Sequence, residues 1–125
     1  MIVGIGVDIA ETARVARLAD EFGERFARRI LTEDELLEFE RRRDSGSYLA
    51  TRFAAKEAVA KALGTGIGKD FGFHSVQIEN DETGKPRLKF LGDAIGLISN
   101  RNINNALISL SDEKHYVVAM VVLES

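Results

Sequence analysis

The stretch Arg52-Phe53-Ala54-Ala55-Lys56-Glu57-Ala58-Val59-Ala60-Lys61-Ala62-Leu63-Gly64-Thr65-Gly66-Ile67-Gly68 organises the chain. Alanine and leucine favour helix, and Gly64-Thr65-Gly66 ends it by offering positive φ at low steric cost. Residues four apart share a helix face, so Phe53, Glu57 and Lys61 form one stripe, with Arg52 and Lys56 beside it. Glu57 followed by Lys61 is the favourable order for a solvent-facing ion pair worth a few tenths of a kcal/mol. The same two residues can instead hold a cation and meet a phosphate, and the choice depends on the rest of the chain.

Working outward, Ser47 or Ser45 is expected to cap this helix, after the loop Asp44-Ser45-Gly46-Ser47. Thr32 and Glu35 have capping-box spacing, which predicts a helix from Glu33 to about Arg42. Before it, Glu11 to Gly23 reads as an amphipathic helix showing Arg14 and Arg17. Phe26 to Ile30 is a short continuation flanked by Arg25, Arg28 and Arg29. At the amino end, Met1-Ile2-Val3-Gly4-Ile5-Gly6-Val7-Asp8-Ile9 is apolar and β-branched with two glycines, a buried strand closely approached by another backbone. Asp8 is the anomaly there: a carboxylate beside a buried strand needs a cation, a donor or water. It is either the cap of the following helix or a ligand for a hard metal such as magnesium.

Downstream of the Gly64 to Gly72 loop, Phe73 to Glu79 alternates as a strand, Asn80 to Pro86 turns, and Arg87 to Leu91 returns as a hairpin. Gly92 to Asn100 reads as a helix. Ala106 to Ser111 and Tyr116 to Leu123 are apolar strands joined by Asp112-Glu113-Lys114-His115. The expected fold is α+β, one domain over residues 1–125, with an antiparallel sheet, a long central helix and further helices packed on it.

Composition narrows the function. With 125 residues the chain can bury a core without staples, and zero cysteines exclude a disulfide framework, thiol catalysis and Cys-ligated metals. No apolar run is long enough to span a membrane and the start lacks a signal-type pattern, so a soluble cytoplasmic protein is expected. Residues 41–69 hold seven Lys or Arg against Asp44 and Glu57, a balance of +5 in a chain of net charge -3, leaving -8 elsewhere. A basic middle in an acidic chain points to a local anion site rather than to nucleic acid. The alternative is that Arg41-Arg42-Arg43 is a solvated helix end.

Together the pieces resemble the holo-(acyl-carrier-protein) synthases, small phosphopantetheinyl transferases of bacterial fatty-acid synthesis. Gly4-Ile5-Gly6-Val7-Asp8-Ile9 is similar to their first motif. Arg52 through Ala58 and Lys61 through Ile67 are similar to their second, and Gly84-Lys85-Pro86 and the final hairpin agree. The resemblance implies transfer of 4′-phosphopantetheine from coenzyme A to a serine of apo acyl carrier protein, releasing adenosine 3′,5′-bisphosphate. It implies Mg2+ held by Asp8 and Glu57, with the serine proton passing to Asp8 or a metal-bound water and Lys61 stabilising or protonating the departing phosphate. Arg14, Arg17 and Arg25 then dock the acidic carrier protein. Arg43, Arg52, Lys56 and the turn Gly84, Lys85, Pro86 are candidates for coenzyme A, and a homotrimer with sites between subunits is implied. One departure stands out: family members carry a histidine after a Ser-x-Ser pattern, whereas here Ser109-Leu110-Ser111 is followed by Asp112, and His115 is read as a turn residue. His74 is read as structural. Two rival functions remain: a magnesium-dependent hydrolase of a nucleotide pyrophosphate, and a non-catalytic module that binds an acidic partner.

Overall fold

Two glycines set the distance between the first strand and the longest helix in the computed structural model, which describes residues 1–125. The strand β1 spans Ile2–Glu11 and the helix α4 spans Ser45–Leu63. A Cβ on Gly4 would collide with the Ala62 carbonyl oxygen, and one on Gly6 with the Ala58 carbonyl oxygen and, at 2.7 Å, the Ala62 nitrogen. The small residues at 58 and 62 and the two glycines thus let strand and helix backbones touch. Because strand side chains alternate, Asp8 shares the α4-facing side with Gly4 and Gly6, while Ile5, Val7 and Ile9 point the other way and are exposed.

Between them lie α1 (Thr12–Phe22), α2 (Glu24–Ile30) and α3 (Glu33–Arg41). After α4 come β2 (Val76–Asn80), β3 (Pro86–Phe90), α5 (Asp93–Asn100), β4 (Asn105–Asp112) and β5 (Tyr116–Glu124). The class is α+β as expected, but the antiparallel strands form two sheets: β1-β5-β4, and the separate hairpin β2-β3. The facing edges of β3 and β4 do not pair, and Leu88, Phe90, Ile98, Ile103, Ala106 and Ile108 line a cleft of about 480 Å³ between them. The helix α4 is buried nearly all round, Leu49, Ala50, Ala54, Ala55, Ala58, Val59 and Ala60 being fully enclosed. Its mostly small side chains let neighbouring elements approach from several sides.

The capping box of α3 is present: the Thr32 side chain accepts from the Glu35 N–H and the Glu35 side chain accepts from the Thr32 N–H. At the other end of α4, Gly64 takes the left-handed conformation, φ 77°, that stops the helix. Four local expectations change. The β1 strand is not buried as expected: one of its sides meets α4, while Ile5, Val7 and Ile9 on the other are exposed. Residue Asp44, whose side chain makes no capping bond, precedes α4, so neither Ser45 nor Ser47 is its cap; the Ser47 hydroxyl donates to Asp112 Oδ2 at 3.3 Å. The β2 strand starts at Val76 rather than Phe73, since the Phe73 carbonyl is drawn 2.8 Å from the Lys56 ammonium and Gly72 to Ser75 turns on itself. Nor does Asp8 cap α1: it lies within β1 opposite Ala119, and the helix begins at Thr12.

Candidate active site

The close contact of β1 with α4 brings Asp8 and Glu57 to one concavity of about 220 Å³, lined also by Ile9, Glu11, Arg14, Val15 and Phe53. Asp8 is well covered, its side chain 16 % exposed. Burial pushes the Glu57 carboxyl above the usual glutamate range, the Asp8 charge adds to the rise, and Lys61 opposes it. Lys61 is one turn from Glu57, but its ammonium reaches across to β1, donating to Asp8 Oδ1 and to the Val7 carbonyl at 3.0 Å each. Two carboxylates lining one small pocket favour a cation, and Lys61 supplies only part of that charge.

Both carboxylates are hard oxygen donors, and no three His, Cys, Asp or Glu side chains are placed to hold a metal ion among themselves. The pair fits an ion that keeps water and takes substrate oxygens, which is the habit of magnesium rather than of zinc or calcium.

Other predicted residues are dispersed. Arg14 lies at the mouth of the Asp8–Glu57 pocket. Arg17, beside it on α1, is exposed and 3.9 Å from Glu11, and Arg25 is exposed on α2. Arg43 is exposed between α3 and α4. Arg52 is buried, its guanidinium 4.3 Å from the Tyr48 ring centre and 3.5 Å from Asn80 Oδ1. Its Nε has no partner, and the cleft it lines also holds Asp34, Glu38 and Glu79. Gly84 turns with φ 88°, and Lys85 and Pro86 line the cleft between β3 and β4, which shares no residue with the pocket that carries Asp8 and Glu57.

Lys56 requires a correction. The ammonium has no solvent exposure and spends its three donors on the Ile30 carbonyl at 2.7 Å, Glu35 Oε1 at 2.5 Å and the Phe73 carbonyl at 2.8 Å. A side chain so enclosed and satisfied has nothing left to offer a coenzyme A phosphate. The exposed His74 has its Nε2 2.7 Å from the Arg28 carbonyl oxygen. His115 is an exposed turn residue whose carbonyl receives the Thr12 N–H. What sequence reasoning missed is Phe53 as a wall of the pocket, stacked on Phe73 at 5.7 Å between ring centres. Its place on the stripe with Glu57 and Lys61 was the available signal.

The chain is similar to known proteins over nearly its whole length. The pattern of the 4′-phosphopantetheinyl transferase superfamily matches residues 4–121. The holo-[acyl-carrier-protein] synthase of Vibrio cholerae is 52% identical over 124 residues, 99% of this chain and 98% of that protein. Among solved structures, the holo-[acyl-carrier-protein] synthase of Neisseria meningitidis is 45% identical and superposes with a TM-score of 0.96 over 100% of both chains. A holo-(acyl-carrier-protein) synthase from Bacillus anthracis, in complex with CoA (3′,5′-ADP), is 41% identical with a TM-score of 0.82, covering 100% of this chain and 98% of that one.

Proposed function

The chain belongs to the 4′-phosphopantetheinyl transferase superfamily, and on that premise we infer that it carries out the holo-(acyl-carrier-protein) synthase reaction. It transfers 4′-phosphopantetheine from coenzyme A to a serine of apo acyl carrier protein. The serine oxygen forms a bond to the pantetheine-bearing phosphorus, the bond to the bridging pyrophosphate oxygen breaks, and adenosine 3′,5′-bisphosphate leaves.

The observation that carries this reading is the convergence of Asp8 and Glu57 on one pocket. Those two residues would hold magnesium, which when bound neutralises and orients the pyrophosphate. Asp8 receives the serine proton, and the half-exposed ammonium of Lys61 stabilises charge on the departing phosphate. The pocket wall of Phe53 and Val15 limits water beside the reacting groups.

Arg14, Arg17 and Arg25 dock the acidic carrier protein, and Arg14 at the pocket mouth gives that docking a direction. Charge steering of this kind weakens as salt rises, so the KM for carrier protein climbs between low and high ionic strength while kcat holds. Arg43, Arg52, Gly84, Lys85 and Pro86 serve coenzyme A. Within one chain they line other surfaces than the Asp8 pocket, so a neighbouring subunit completes the site. The exposed apolar side of β1-β5-β4 is the surface on which a homotrimer forms. The setting is cytoplasmic fatty-acid synthesis; no helix is long and apolar enough to cross a membrane.

Mass spectrometry of apo carrier protein incubated with the enzyme, coenzyme A and magnesium tests the assignment. A gain of one phosphopantetheine supports transfer. Cleavage of coenzyme A with an unmodified carrier protein means hydrolysis, and binding without any turnover means a docking module; either overturns it.

A further inference from the structure

A single buried ion pair ties five segments of the molecule together. Lys56, with no solvent exposure, joins α4 to the end of α2 through the Ile30 carbonyl, to α3 through Glu35 and to the loop before β2 through the Phe73 carbonyl. Glu35, 2 % exposed, takes the Thr32 N–H at 2.9 Å on Oε1 and the Ile78 N–H at 2.8 Å on Oε2. Every donor on Lys56 and both oxygens of Glu35 are used, so the pair has one geometry. Burying two charges is costly, and an apolar pair of the same volume often serves stability as well. A gain beyond stability is therefore to be sought in what the pair holds.

It holds α4 from a flank other than the one that meets β1. Lys56 precedes Glu57, and the two project about 100° apart around α4. Glu57 faces β1, where Gly4 and Gly6 fix the spacing, and Lys56 clamps the other flank. Phe73, whose carbonyl accepts from Lys56, also carries the ring that stacks on Phe53. Phe53 is a wall of the pocket containing Asp8 and Glu57. We infer that Lys56 is a positioning residue for the transfer reaction, acting through the Phe73 carbonyl and the Phe73–Phe53 stack on the Asp8–Glu57 pocket without touching coenzyme A. This role rests on the transferase reading above.

Two variants test it: Lys56→Met/Glu35→Gln, which removes both charges together and leaves no unpaired buried ion, and Phe73→Leu, which keeps the ion pair and removes only the ring. Steady-state kinetics well below each variant's unfolding temperature separate positioning from contact and from stability. Misplacing a reacting group by about 1 Å costs on the order of 100-fold. Both variants are expected to lose about tenfold to 100-fold in kcat with KM for coenzyme A nearly unchanged. Nuclear Overhauser contacts between the Phe53 and Phe73 rings, read without substrate, should be lost in the double variant. Wild-type kcat in Phe73→Leu, a loss carried by KM for coenzyme A, or ring contacts that persist in a folded double variant would each overturn the inference. If the double variant does not fold, Phe73→Leu decides alone. Failure of the wild-type protein to transfer phosphopantetheine is a separate result: it removes the transferase reading, while the ring contacts still report whether Lys56 sets the stack.

Discussion

The Lys61 ammonium bridges α4 to β1, 3.0 Å from Asp8 Oδ1 and 3.0 Å from the Val7 carbonyl oxygen. It therefore sits on the strand side of the pocket, against the carboxylate that faces Glu57, and gathers one positive and two negative charges within one small volume. The side chain is 52 % exposed, so its pairing adds little to stability in water-screened surroundings. On the proposed transfer reading its weight falls on chemistry, where a fixed cation beside the departing phosphate would act on charge that develops only in the transition state.

Lys61→Met is accordingly expected to lower kcat by about 100- to 1,000-fold, the range for removing one fixed electrostatic stabiliser. The unfolding free energy should change by less than about 1 kcal/mol. Denaturant titration and single-turnover transfer measure the two separately, and comparable losses in both would assign Lys61 to the fold instead.

The raised pKa of Glu57 makes a signed prediction about pH. In the folded chain the carboxyl keeps its proton at pH values where the unfolded chain, near the ordinary 4.5, has released it. Between the two the folded state binds more protons, so this group's contribution to stability falls as pH rises through that window and the penalty persists at neutral pH. Glu57→Gln should raise the unfolding midpoint of the metal-free protein at pH 7, and the gain should vanish below about pH 4.5. Transfer by the same variant should drop about 100-fold or more. Thermal melts across pH check the first expectation, and a variant as pH-sensitive as wild type would contradict it.

Residue types and spacing made the Gly64 end of α4 and the Thr32–Glu35 box legible, because each depends on local geometry, while the Asp8–Glu57 pairing came from the resemblance of two motifs. The partner of Lys61 was not: sequence offers only neighbours on the same helix, and the strand crossing α4 supplied a better acceptor. The burial of Lys56 was hidden for a related reason. Since α4 is enclosed on nearly every side, no polar stripe marks its outer face, and a lysine toward the core looks like one toward solvent. The division into two sheets also escaped, since alternation in β3 and β4 reports which side chains are covered and not which edges pair.

The glycines of β1 should discriminate sharply among Gly→Ala changes. In Gly6→Ala the new methyl meets the Ala58 carbonyl and the Ala62 nitrogen, both helix backbone atoms that cannot swing away. The expected cost is about 1–3 kcal/mol or more, with transfer falling further as β1 and Asp8 shift. Gly96→Ala, inside α5 with open space around it, should gain about 0.5–1 kcal/mol. Chemical denaturation of both variants checks the contrast, and equal effects would mean that β1 does not depend on that contact.

The outer side of the three-stranded sheet supplies the test of assembly. Strand register sets Ile5 and Leu107 on either side of Val122, Val7 and Ser109 on either side of Met120, and Ile9 and Ser111 on either side of Val118. Ile5, Val7, Ile9, Leu107 and Met120 are each more than two-fifths exposed, a continuous apolar surface of the kind that a partner covers. Met120 lies at its middle, so Met120→Glu places a charge where a second subunit would desolvate it, while the opposite side of β5, which builds the core, is untouched. Sedimentation equilibrium should find a trimer for wild type and a monomer with unchanged circular dichroism for the variant. Transfer should fall with assembly, because the groups assigned to coenzyme A and the Asp8–Glu57 pocket line different surfaces of one chain. A wild-type monomer with full activity would separate catalysis from assembly and return the coenzyme A groups to the protomer that carries Asp8.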